Sequence, residues 1–126
     1  MKVSVPISIG ELIDKITILE IKHLKIKDMS KIKEVKKELK LLKSILKKNK
    51  INVKLISSNY KKLRTINSKL WNIENKKRNA EKNKLFDDKF IALARKVYLF
   101  NDKRAKYKLL INQMTNSEIV EVKSYN

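Results

Sequence analysis

The sequence predicts an all-α protein: an antiparallel helical bundle of about four helices in one domain spanning 1–126, with a short terminal β-ribbon as an optional addition. Three observations predict it. Apolar residues recur with a period of 3.6 nearly throughout the chain. The 126 residues include one glycine and one proline, too few for the turns of β-sandwiches, barrels or glycine-loop nucleotide folds. Hydrophobic residues make up 42% and aromatics only 6%, so aliphatic side chains must fill the core.

The elements follow in order. Val3, Val5 and Ile7 alternate around Pro6 and read as extended. Ser8 with Glu11 three residues on has the spacing of a capping box and starts the first helix at about Ile9, running to about Asp28. Ser30 is the expected cap of the second helix, whose stripe Ile32, Val35, Leu39, Leu42, Leu46 steps at helical spacing without interruption. After a break at Asn49 to Asn52, the third helix is expected from about Val53 to Asn83. Leu85, Phe86 and Asp87 connect it to a fourth helix, capped by Asp87 or Asp88 and ending near Met114. Ile119, Val120 and Val122 are β-branched and suit a strand against Val3 to Ile7; two strands alone are marginal and would have to lie on the helices.

Composition narrows the function. No cysteine means no disulfide, Fe–S cluster, thiolate zinc site or cysteine nucleophile. The chain has no apolar run of membrane-spanning length and no signal-peptide layout, so a soluble cytoplasmic protein without a transmembrane segment is expected. The formal charge is +19, of which residues 31–84 carry +15. Such a middle could meet phosphate or anionic lipid. Yet 28 of the 32 basic residues are Lys, and Lys, Ile and Asn all have A/T-rich codons. With no clustered Arg for base edges and no interleaved aromatics, specific nucleic-acid binding is not expected.

Polar residues interrupt the apolar stripes on three helices. Glu20 falls at the centre of the first helix's face, among Ile9, Ile13 and Ile16, with Thr17 and His23 beside it. Glu74 interrupts the third stripe (Ile56, Leu63, Ile66, Leu70, Ile73), with Asn67 beside it and Arg78 one turn on. Asn101 sits in the fourth stripe (Phe90, Leu93, Ala94, Val97, Ala105), with Arg104 alongside. Burying an unpaired charge costs several kcal/mol, so these groups should meet one another or a ligand. Arg78 and Arg104 gain weight because a chain this rich in Lys keeps Arg where a forked, bidentate donor is needed.

Two readings of the cluster stay open: a structural hydrogen-bonded network, or a ligand or catalytic pocket between the first, third and fourth helices. Glu20-x-x-His23 has di-iron spacing, but one histidine cannot complete that site, so neither metal nor cofactor is expected. Ser57 and Ser58 lack local triad partners. Trp71 and Tyr98 read as core packing. Asp14 with Lys15, and Asp102 with Lys103 and Lys106, read as surface pairs.

Four stretches carry a resemblance: Ile7 to Lys22 (ISIGELIDKITILEIK), Leu70 to Glu74 (LWNIE), Phe90 to Arg104 (FIALARKVYLFNDKR) and Ser117 to Tyr125 (SEIVEVKSY). Through them the chain resembles an uncharacterised family of small bacterial all-helical proteins, a domain of unknown function, which implies a helical fold and lends no activity. A weaker likeness is to the helical chorismate mutases, whose arginine spacing on the first helix is absent here. The expectation is a non-catalytic interaction or small-ligand-binding bundle, homodimeric, with a small anion as the ligand. The alternatives are a small enzyme with an inter-helix Glu/Arg site and a non-specific nucleic-acid or anionic-surface binder.

Overall fold

A computed structural model describes residues 1–125 and contains four helices: α1 Ile9–Lys25, α2 Met29–Lys48, α3 Ser57–Lys82 and α4 Asp88–Thr115. The architecture is an all-α bundle. At the start of α1 the Ser8 hydroxyl accepts the Glu11 N–H at 2.9 Å. The other half of the expected box is absent, because the Glu11 carboxylate turns to Lys108 and Lys15 instead. α1 stops three residues early, at Lys25, because Asp28 is needed as the cap of α2; its carboxylate accepts the Ser30 N–H at 3.0 Å. Ser30 is therefore a first-turn residue, and its hydroxyl donates to Asp28. α3 begins at Ser57 rather than Val53, after a turn in which Asn52 accepts the Leu55 N–H. Asp87 caps α4 as expected, through the Phe90 N–H at 3.1 Å.

With only one glycine in the chain, other residues must end the helices. Lys50, Lys84 and Asn116 take the left-handed conformation after α2, α3 and α4, with φ of 53°, 54° and 53°. The Leu85 N–H then reaches back to the Ala80 carbonyl at 2.8 Å, closing the end of α3.

α1 is the central helix: it packs against α2, α3 and α4, whereas α2 packs against α1 alone. Leu12, Ile13, Ile16, Leu46, Ile56, Leu63 and Ile111 form the buried core. α1 and α4 run antiparallel and approach closely where the one glycine lies. A Cβ on Gly10 would sit 2.4 Å from the Lys108 carbonyl oxygen, so no larger residue fits there. α3 and α4, at 26 and 28 residues, outlast the 17-residue α1 by roughly 15 Å of helix. Where α3 joins α4, Phe86 and Ile91 are exposed, and Tyr98 and Leu99 are exposed further along α4.

The terminal ribbon is absent: neither 1–7 nor 117–125 contains a strand. Side chains hold the C-terminal segment instead. Ser117 accepts the Ile9 N–H at 3.1 Å, Glu121 accepts from the Ser8 hydroxyl and from the Asn112 amide, and Lys123 pairs with Asp102 at 2.8 Å. The N-terminal segment keeps Val3 and Val5 exposed. A two-stranded ribbon would have gained little over these contacts. No helix among the described residues is long and apolar enough to cross a membrane.

Candidate functional site

The polar centre of the molecule is built on Asp14, which is 1% exposed despite its carboxylate. Arg104 of α4 grips it with both arms: Nε donates to Oδ1 at 2.9 Å and Nη2 to Oδ2 at 2.5 Å. Asn67 of α3 donates to the same Oδ1 and to the Thr17 hydroxyl oxygen, each at 2.9 Å. Thr17 in turn donates to the Asp14 carbonyl at 2.8 Å. Every buried donor and acceptor among the described side chains is partnered. One carboxylate therefore ties three helices together. Its hydrogen bond, outweighing the cost of burial, holds the Arg104 guanidinium above its ordinary pKa.

Asp14 was expected at the surface beside Lys15. That expectation is wrong because α1 has three neighbours rather than one, so a second buried stripe, Gly10, Asp14, Thr17 and Ile21, lies beside the aliphatic face. The signal in the sequence is the small or short residues Gly10, Asp14 and Thr17, spaced i, i+4, i+7, where another helix comes close. Lys15 pairs with Glu11 and Asp102 with Lys123, so neither expected surface pair forms.

A groove of about 360 Å³ opens beside this network, lined by Ile18 and Ile21 of α1, by Asn67, Leu70, Trp71, Glu74, Asn75 and Arg78 of α3, and by Arg104. Four of the expected cluster residues line it: Asn67, Glu74, Arg78 and Arg104. Thr17 joins them one layer below through Asn67. Arg104 spends Nε and Nη2 on Asp14, and its Nη1 donates to no protein partner among the described residues. Glu74 is half exposed, with Lys77 at 3.6 Å. Arg78 is exposed. Trp71 is half-buried in the groove wall, not in the core; Tyr98 is exposed.

Three expected members lie elsewhere. Glu20 belongs to a separate cluster: it accepts from the Tyr60 hydroxyl, with Lys43 at 3.8 Å and Arg64 at 4.0 Å. Burial, and then the hydrogen bond to Glu20, push the Tyr60 hydroxyl well above its ordinary pKa. His23 is exposed in the last turn of α1. Asn101 is half-buried and makes no side-chain hydrogen bond among the described residues. Glu20 and Glu74 are thus not brought together as a carboxylate pair. No group of three or more His, Asp or Glu able to hold a metal is gathered among the described residues.

Comparison with curated proteins and with solved structures returned no match. One family model does match, over residues 1–126, and the chain accordingly belongs to the family of unknown function DUF6165.

Proposed function

We propose that this chain is a non-catalytic binding protein for a small amphipathic anion, held in the groove between α1, α3 and α4. The observation that carries the reading is the state of Arg104. Asp14 fixes its guanidinium in place while leaving Nη1 without a protein partner, so a donor stands ready at the groove without further ordering. Arg78, unpaired among the described residues, supplies a second cation at the rim, and Asn75 adds an amide. Ile18, Ile21, Leu70 and Trp71 offer an apolar wall for the body of the ligand. A carboxylate on a short aliphatic or aromatic frame matches both halves.

The chain's single tryptophan lines the groove, so its emission reports on occupancy. Titration with octanoate or 3-phenylpropionate should change Trp71 emission saturably, and Arg78→Gln should weaken binding at least fivefold with an unchanged melting temperature. No saturable change with either carboxylate would contradict the reading.

Phe86 and Ile91, exposed where α3 joins α4, and Tyr98 and Leu99, exposed further along α4, favour a second reading as an interaction protein that self-associates. Sedimentation should then show a dimer that Ile91→Glu dissociates.

A further inference from the structure

A second depression, of about 240 Å³, lies between α3 and α4 and includes no α1 residue. Four lysines line it, Lys61, Lys62, Lys69 and Lys103, with Thr65 and Tyr107 between them, and no carboxylate does. The spacing explains the gathering. Lys61, Thr65 and Lys69 follow at i, i+4, i+8 on one face of α3, and Lys103 and Tyr107 at i, i+4 on α4.

Two further observations bear on these lysines. Lys69 and Lys103 share one aromatic ring, their ammonium groups each 5.7 Å from the Phe100 centroid. A neutral ring, not a carboxylate, is thus the partner given to both ammonium groups. Among the described residues the ion pairs that involve α3 or α4 are Arg64–Glu20, Lys77–Glu74, Arg104–Asp14, Lys108–Glu11 and Lys123–Asp102, and none uses these lysines. The sequence around them is equally one-sided: between Glu38 and Glu74 there are ten basic residues and no acidic one.

We propose that this depression is a binding site for a compact polyphosphate group. Ammonium groups act as point charges toward phosphate and need no planar fork, and the depression indeed contains Lys and no Arg. Four lysines around a depression of this size match three or four negative charges carried on neighbouring atoms. A nucleic-acid backbone spreads its charges along a strand and would engage the lysines of α2 as readily; the depression has one aromatic ring, Tyr107, too little for a base-stacking platform. Thr65 and Tyr107 add hydroxyl donors to phosphate oxygens. The site is independent of the groove, shares no residue with it, and stands or falls separately.

Calorimetric titration of the full chain with inorganic tripolyphosphate tests this. One equivalent should bind saturably at moderate salt. Lys69→Gln/Lys103→Gln should weaken binding at least tenfold, whereas Lys33→Gln/Lys40→Gln on α2, which removes the same charge, should change it less than twofold. Circular dichroism melts of both variants confirm that the fold is retained. A nucleoside triphosphate that binds more tightly than tripolyphosphate assigns the site to nucleotides, and equal binding assigns it to the phosphate chain itself; both support the proposal. It is overturned if no saturable binding occurs, if the α2 variant loses as much as the α3–α4 variant, or if only duplex DNA binds and both variants weaken it equally.

Discussion

Removing Arg104 should damage the protein more than removing Asp14, although the two form one ion pair. The reason is their unequal access to water: the Asp14 side chain is 1% exposed and the Arg104 side chain 30%. In Arg104→Ala the carboxylate stays buried with only the Asn67 amide donating to it, and a buried charge stripped of its partner costs about 3–5 kcal/mol. Partial access through the groove places the expected loss at the lower end, about 3 kcal/mol. In Asp14→Ala the guanidinium can swing toward the groove and rehydrate, so the loss is about 1–2 kcal/mol, mostly hydrogen bonds left unmade by Asn67 and Arg104. With a melting shift of about 4 °C per kcal/mol for a domain of this size, the variants should melt roughly 12 °C and 4–8 °C below wild type. The double variant should resemble Asp14→Ala alone, since no buried charge remains in it. Urea unfolding at neutral pH measures all three. Equal losses, a larger loss in Asp14→Ala, or a loss below about 1 kcal/mol in Arg104→Ala would refute the reasoning.

Three other outcomes follow from the same structure. Gly10→Ala, which raises helix propensity by about 1 kcal/mol, should nonetheless destabilise by about 1–3 kcal/mol, because the new methyl meets the Lys108 carbonyl; a neutral result in denaturant titration would show that α1 and α4 separate freely. Partial burial raises the Glu121 pKa, but hydrogen bonds from the Ser8 hydroxyl, its own backbone and the Asn112 amide outweigh this and hold it below the ordinary 4.5. Its contribution is thus complete above that value and fades as pH falls through the lower folded one, so Glu121→Gln should flatten the acid side of the melting profile. Tyr60, shifted upward, contributes below the ordinary 10.0 and loses that contribution only as pH rises through its higher folded value; in ultraviolet titration Tyr60→Phe should remove the last phenol to ionise and none of the earlier ones.

How much was legible depends on whether one helix or several helices decide a residue's surroundings. The helices and the Ser8 and Asp87 caps were legible, because period and capping are local. Arg104 and Asn67 were legible as inward polar groups, because α3 and α4 each present one face to α1. Asp14 was not: a wheel with one apolar stripe describes a helix at the edge of a bundle, and α1 is its centre. Glu20 was placed at the middle of that stripe, yet its long side chain reaches out to Tyr60 at the margin. Glu74 keeps the phase of the buried Leu63, but at its level α3 and α1 leave the groove walled by Ile18 and Ile21 between them, so the same phase opens onto the groove. The phase of a helix is in its sequence; the distance to its neighbours is not. The lysine depression was illegible for a similar reason, because it needs Lys103 brought to Lys69 around Phe100.

The central claim is that Arg104 is locked to Asp14 and still has an arm free for a ligand. Nuclear magnetic resonance of protein carrying nitrogen-15 arginine observes this group itself. The account predicts a slowly exchanging, well-resolved Arg104 Nε–H signal in the free protein, lost in Asp14→Ala, and Nη signals that move saturably on adding 3-phenylpropionate. An Nε–H that exchanges as fast as that of exposed Arg95, or Arg104 signals indifferent to both changes, would contradict it.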